Sequence, residues 1–352
     1  LDLLCLGELL IDFVPTVLGR KLRDVPAFEK AAGGAPGNVA CGFSRLGGSS
    51  GFIGKVGNDE FGHFLEQTLQ GCGVDTSYLY KSDEALTCLA FVSLKADGDR
   101  EFAFYRNPSA DMLLRADEIP VEAVRAANIF HYGSITLIDE PVRSATLLGA
   151  RAAGEAGRLV SFDPNLRPQL WPSLEQARQA ILEGMRWAGM VKVSDEELAF
   201  ITGLECEGGG GADAGGCGSA ANGAADTAAD GAVQALLTQF PNLRMVALTS
   251  GPEGSTLYTR DQAIRVPGFR VEAVDTTGAG DGFLAGLLFQ MNRQIEGGEA
   301  GGAFGWNKPD RFWAEAARFG NAVGAMVVTK RGGIPSMPEM AAVERFMAEC
   351  GA

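Results

Sequence analysis

Short apolar runs recur along the chain and alternate with stretches whose apolar positions fall three or four residues apart. LDLLCLG, SGFIGKVG, IFHYGS, LVSFDPN, GMVKVS and MVALTSG read as buried strands, while PGNVACGFSRLG and DEFGHFLEQTLQGCG read as helices packed between the first of them. The alternation predicts an α/β fold in which a mainly parallel sheet is covered by helices on both faces. One segment breaks the rhythm. LTCLAFVSL and REFAFYR alternate with period two around an Asp97-Gly98 turn, a hairpin pattern with no helix nearby. With the extended stretch 13–31 it forms either a small separate sheet or a plain edge hairpin; a lid built from about 13–32 and 86–107 is the expectation carried forward.

Two glycine-rich tracts interrupt the pattern without ending it. Residues 205–231 are mostly Gly and Ala and carry too little apolar bulk to order themselves, so they are expected to be a disordered insertion; 294–307 is a second excursion of the same kind. Strand–helix units continue on both sides of each. A single domain spanning 1–352 follows, and 46% apolar content in 352 residues suffices for a large core.

Charge narrows the partners. With 30 basic and 44 acidic residues, net −14, the chain is a poor match for nucleic acid or for an anionic membrane surface, so any anionic ligand must be held by local cations or backbone amides. No apolar run reaches the ~18 residues of a membrane span. Seven cysteines, odd in number and without a C-x-x-C pair, read as reduced thiols of an intracellular protein. The chain opens at Leu1 inside a strand-like run, which suggests a trimmed upstream segment; the expected compartment is the cytoplasm, or the plastid stroma if a transit peptide preceded Leu1. His63 and His131 are the only histidines, too few for a histidine metal site, and both are expected to be structural.

The chemistry concentrates at VDTTGAGDGFLAGLL, 274–288. A glycine turn runs into a helix expected to start at Asp281 and to be apolar nearly all round, hence buried. Its first amides are unpaired and carry partial positive charge, and Gly278 and Gly280 let an anion approach them, which makes a phosphate-sized site. Asp281 fits a helix cap there as well as it fits a base that takes the proton of an attacking hydroxyl. Close packing against a strand is expected at Ala285 and Gly286. Known nucleotide motifs fail: GGSSGFIGKVG misses the Walker A spacing, and GAGDGF lacks the third glycine and the later acid of a dinucleotide fingerprint.

A second glycine turn, GGAPGNVA, enters a helix and is followed by Gly47 and Gly57. Together with DTTGAGD, about 240 residues later, it resembles the two signatures of the PfkB carbohydrate kinases, the ribokinase-like family. The resemblance covers nearly the whole chain from LCLGELLIDF to TKRGGIPSMP outside the glycine-rich tracts, and GELLIDFVPT, FYRNPSADMLL and DPNLRPQLWP are similar to plant-type fructokinases. It implies a three-layer α/β/α core with a small β lid.

The resemblance also implies roles, residue by residue. Asp12 would bind sugar hydroxyls, with Gly33, Gly34 and Asn38 forming the sugar-binding turn and Phe104 and Arg106 covering the sugar from the lid. Asp281 would be the base, Gly278, Ala279 and Gly280 the anion hole, and Arg167 of DPNLR the cation that neutralises the transferring phosphate, oriented by Asp163 and Asn165. Thr249, Gly251, Gly254 and Asn321 would face ATP, alongside Gly278 and Gly280. Where many members have N-x-x-E, this chain has Ser194-Asp195-Glu196-Glu197, which leaves Glu197 in register to meet Mg²⁺ through water. Asp275, Thr277, Gly332 and Ser336 match positions at which the family binds a monovalent cation such as K⁺.

The function expected is ATP-dependent phosphorylation of D-fructose to D-fructose 6-phosphate. Alternatives are the same transfer to 2-keto-3-deoxygluconate or ribose, a catalytically silent fructokinase-like scaffold, and a nucleoside kinase. The expected partners are a small sugar and ATP, and the lid sheet offers an edge with which a second subunit could pair.

Overall fold

The computed structural model describes residues 1–17, 19–94, 100–204, 224–295 and 303–350. A nine-stranded sheet forms the centre. Across it lie, in order, Ala263–Pro267, Gly254–Thr259, Met245–Thr249, Met190–Ser194, Leu159–Asp163, Ile129–Gly133, Leu3–Leu6, Ser50–Gly57 and Val74–Ser82. The seven strands from Met245–Thr249 to Val74–Ser82 pair in parallel, and the two at the other edge are antiparallel. Leu3–Leu6, Ser50–Gly57, Ile129–Gly133 and Leu159–Asp163 are buried at every position, because helices cover both faces and neither side of those strands meets water.

Each face has its own core. On one, Phe43, Phe52, Leu65, Phe283 and Trp313 pack together; on the other, Phe130, Tyr132, Phe162, Trp171 and Leu236. The helix Ala279–Asn292 buries ten of its residues. Its glycines serve helix contacts rather than the expected strand contact: a Cβ on Gly286 would come 3.1 Å from the Cα of Gly320 on the helix Asp310–Val327. Ala285 packs on Gly42 of the helix Ala35–Arg45. This glycine-to-backbone packing fixes where the first turn of Ala279–Asn292 lies.

A separate four-stranded sheet, in the order Phe28–Gly33, Leu10–Pro15, Cys88–Leu94, Arg100–Tyr105, stands beside the carboxyl ends of the central strands. It begins at Leu10, three residues earlier than the expected lid boundary, because Leu10 and Ile11 already pair with Gly33 and Ala32. The Asp97-Gly98 turn lies outside the described residues, as does 205–223 of the first glycine-rich tract. The rest of that tract is not disordered: the helix Ala224–Gln239 starts within it. Of the second tract, 296–302 lies outside the described residues. Its end packs inward, with Phe304 buried and edge-on to Trp306 and Trp313, so aromatic burial overrides the surrounding glycines. No described helix is long and apolar enough to cross a membrane.

Candidate active site

In parallel α/β sheets, loops at the carboxyl ends of the strands gather ligands. Here two clefts meet at that edge. The first, of about 280 Å³, is lined by Asp12, Gly34, Asn38, Phe104, Asn165, Arg167, Glu197 and the turn from Thr276 to Asp281. The second, of about 430 Å³ and mainly apolar, is lined by Thr249, Gly251, Gly254, Phe269, Phe283 and Asn321. Thr276, Ala279 and Gly280 belong to both, so the glycine turn is the wall the clefts share. A group passing from one to the other must cross it.

The helix behind that wall begins at Ala279, two residues before the expected start, because Gly278 takes the left-handed conformation (φ 79°) and acts as N-cap. Asp281 is therefore in the first turn and does not cap the helix. Gly280 and Asp281 contribute first-turn amides, which a helix leaves without partners inside itself. The turn is braced from behind by Asp275, whose carboxylate accepts the amides of Thr277 and Gly332 at 2.9 Å each. Gly332 is itself left-handed (φ 82°), and Ser336, fully buried, donates to the carbonyl of Gly333 at 2.7 Å. The four positions expected around a monovalent cation thus lie on two loops tied together directly behind the glycine turn.

Asp281 is 6% exposed. Its Oδ2 accepts from Asn38 Nδ2 at 2.7 Å and its Oδ1 from Asn165 Nδ2 at 3.2 Å, so two amides aim the carboxylate. Burial, with the charge of Asp163 adding to it, pushes its pKa up to about 6; Asn38, Lys192 and Arg167 hold it from rising further. A carboxylate of that pKa is mostly ionised at neutral pH and is a better base than an exposed aspartate. Asn165 reaches it from the strand Leu159–Asp163 by adopting φ 42°, the one positive φ outside glycine among the described residues. Asparagine tolerates that conformation better than most residues, and strain of this kind collects where a side chain must be aimed.

Lys192, unremarked in the sequence, stands in the same cleft. It is 5% exposed and its Nζ donates to Asp163 Oδ2 at 3.0 Å. Burial opposes its charge, but Asp163, Glu197 and Asp281 together push its pKa well up, so it is a fixed cation. A Cβ on Gly280 would lie only 2.8 Å from Nζ, which puts this ammonium against the glycine turn. A lysine inside the apolar run MVKVS was the signal available in the sequence.

The remaining expected residues divide. Asp12 and Gly34 line the cleft; Gly34 (φ 112°) packs on the Glu8 carbonyl, 2.3 Å from where a Cβ would lie, whereas Gly33 is not brought to the lining and instead leaves room for Asp12, whose Oδ2 would be 2.2 Å from a Cβ there. Arg167 lines the cleft, its Nη1 donating to the Leu166 carbonyl at 3.0 Å. Glu197 Oε1 accepts the Leu166 amide at 2.8 Å while Oε2 accepts the Ser194 amide at 2.9 Å, so it anchors the loop that carries Arg167 and closes a capping box. Arg106 is not brought to the cleft lining. Its guanidinium is buried, with Nε donating to Asp111 at 2.8 Å. Asn321 lines the second cleft, but its Nδ2 is committed to the carbonyls of Val266 and Pro267 at 3.1 and 3.2 Å. His131 is structural: buried beside Ser161, with burial lowering its pKa to about 3.

Residues 1–340 match the pfkB family carbohydrate kinases. The chain belongs to the pfkB family. Probable fructokinase-7 of Arabidopsis thaliana is 46% identical over 98% of this chain and 92% of its own length. Among solved structures, fructokinase with bound ATP from Xylella fastidiosa superposes with a TM-score of 0.83 at 34% identity, covering all of both chains. A double mutant of Vibrio cholerae fructokinase, solved with fructose, ADP and potassium ion, gives 0.80 at 30% identity over 98% of each chain. The three-layer α/β/α core with its small second sheet is thus the fold this pfkB chain shares with enzymes of the family.

Proposed function

We propose that the protein is an ATP-dependent fructokinase that transfers the γ-phosphoryl group of ATP to D-fructose, giving D-fructose 6-phosphate. The observation that carries this reading is the glycine turn shared by the two clefts, with a doubly hydrogen-bonded, buried Asp281 on the first cleft's side of it. The relatives crystallised with ATP and with fructose and ADP support the choice of substrates.

The sugar lies in the smaller cleft, its hydroxyls met by Asp12 and by the turn at Gly34, with Phe104 against its apolar face. Asp281, held by Asn38 and Asn165, accepts the proton of the terminal hydroxyl as that oxygen attacks in line. ATP occupies the larger cleft beside Thr249, Gly251 and Gly254. Its γ-phosphoryl group reaches the amides of Gly280 and Asp281, the Ala279 amide being engaged by the Thr276 carbonyl at 3.3 Å, and preorganised donors in a water-poor site stabilise transferring charge without reorganising. Lys192 and Arg167 flank that point as fixed cations. The sheet that carries Asp12 and Phe104 covers the cleft and keeps water from competing for the phosphoryl group.

Glu197 brings a carboxylate to the cleft, while Asp163 is buried behind it against Lys192 and the Asn165 amide, and among the described residues no group of three His, Cys, Asp or Glu side chains could hold a metal ion. That suits Mg²⁺ carried by ATP phosphates and met through water, with Glu197 holding the water; when bound, the ion offsets phosphate charge. K⁺ behind the turn at Asp275, Thr277, Gly332 and Ser336 would stiffen the anion hole. A homodimer paired through the small sheet is also part of the reading. An ADP-release assay over fructose, glucose, ribose, 2-keto-3-deoxygluconate and adenosine tests it: fructose is expected to give the highest kcat/KM. Inactivity on every acceptor would favour a silent scaffold, and a preference for another acceptor would reassign the substrate.

A further inference from the structure

Glu8 lies just beyond the central strand Leu3–Leu6 and lines the smaller cleft, yet the roles described above leave it unused. It is 3% exposed. Its Oε1 accepts the amide of Ala35, the first residue of the helix Ala35–Arg45, at 3.1 Å. Its Oε2 is buried and has no hydrogen-bond partner. A structural cap needs one oxygen, and a second buried oxygen left unpaired costs free energy unless something arrives to pair with it.

We propose that Glu8 is a specificity-determining residue of the sugar cleft, its Oε2 carrying a proton that it donates to an oxygen of the bound sugar. This inference rests on the sugar-kinase reading of the same cleft. An ionised carboxylate with one buried oxygen lacking any donor is the costly state, and the neutral acid converts that oxygen into a donor. The surroundings agree. Burial, reinforced by the charge of Asp111, pushes the Glu8 pKa up to about 7, while its own backbone amide, Arg106 and the Ala35 amide restrain it. Cys88, on the neighbouring strand, bears on the same group as a neutral thiol. Across the cleft lie Asp12, Asp281, Glu197, Arg167 and Lys192. A sugar settling over Glu8 removes the remaining water and favours its neutral form further.

The sign follows. Glu8 loses its proton as pH rises through about 7, so the sugar KM should rise above that pH while kcat and the ATP KM do not follow it. Asp281 acts in the opposite sense and on kcat, gaining competence as pH rises through about 6. Glu8→Gln separates the two, because its amide can keep a carbonyl oxygen on the Ala35 amide and place an N–H donor where Oε2 stood. The test is the steady-state KM for fructose and for ATP from pH 6 to 9 in wild type, Glu8→Gln and Glu8→Ala. Glu8→Gln is expected to bind fructose with a KM that does not change with pH, and Glu8→Ala to raise the fructose KM about tenfold, the worth of one buried hydrogen bond, with the ATP KM within about twofold. A fructose KM in Glu8→Gln that climbs with pH as in wild type would overturn the proposal. So would a Glu8→Ala enzyme with an unchanged fructose KM, which would leave Glu8 as a helix cap alone. A wild-type protein without activity on any sugar would overturn the underlying reading together with it, a result distinct from either.

Discussion

Replacing Lys192 by Met removes the cation of a buried ion pair and one of the two cations proposed to flank the transfer point. The pair is 3.0 Å long, with side chains 7% and 2% exposed. At an effective dielectric of ~20, charges at that separation attract by about 5 kcal/mol, against which stands the desolvation of both. Deleting one partner leaves Asp163 buried and uncompensated, which costs about 3–5 kcal/mol of folding stability. Urea unfolding at neutral pH measures this directly. Lys192→Met combined with Asp163→Asn should recover most of the loss, since no charge is then stranded and the carboxamide oxygen introduced by Asp163→Asn can still accept the backbone amide of Asn165. Catalysis should not recover with stability. Both forms should lose about 10²–10³ in kcat, the usual effect of removing one electrostatic contact to a transferring group. Because Lys192 also holds the Asp281 pKa down, the acid limb of the kcat profile should move to higher pH in the single variant. A Lys192→Met protein that loses less than about 1 kcal/mol, or a double variant whose kcat returns with its stability, would refute the assignment.

Three further outcomes are expected. In wild type, kcat should rise with pH through about 6 and level off, as Asp281 ionises; a profile flat from pH 5 to 8 would exclude it as the titrating base. Glu197→Gln replaces one acceptor of the Leu166 and Ser194 amides with a donor, so kcat should fall by about tenfold or more and the Mg²⁺ needed for half-maximal rate should rise, read by titrating the metal at saturating ATP. Gly254→Ala puts a Cβ 2.2 Å from the Val266 carbonyl at φ 109°, so it should cost about 1–3 kcal/mol in thermal unfolding and raise the ATP KM without changing that for fructose.

Much of this site could be read before the structure. Fully buried parallel strands leave continuous apolar runs, and Asp12, Asn38, Arg167, Glu197 and Asp281 converge where the sequence placed them, because glycine turns and strand ends fix their loops. The misses share a cause. Lys192 and Glu8 are single charged residues beside apolar runs, and periodicity cannot tell a stranded charge from one that the fold pairs across sheet neighbours. Arg106 followed the lid pattern, but Asp111, five residues on, captures its guanidinium. The helix start was displaced to Ala279 because a left-handed Gly278 can cap without a side chain, and composition does not record φ. Phe304 shows the same limit in the core: three tryptophan and phenylalanine rings outweigh the flanking glycines only once the chain is folded.

The central claim is that Asp281 accepts the proton of a sugar hydroxyl, and Asp281→Asn tests it most directly. Ionising Asp281 is uphill in the folded protein: its pKa stands near 6 against an ordinary 3.8, so its contribution to stability is present below 3.8 and lost as pH rises through 6. The asparagine variant removes that cost but sets an N–H where one oxygen accepted from Asn38 or Asn165, so its Tm at pH 7.5 should stay within a few degrees of wild type, and a variant that remains folded at the assay temperature excludes loss of fold as the cause of lost rate. Fructose-dependent ADP release at saturating substrates is expected to fall by about 10³-fold or more, with both KM values within a few-fold. A variant that keeps kcat within tenfold of wild type would contradict the account.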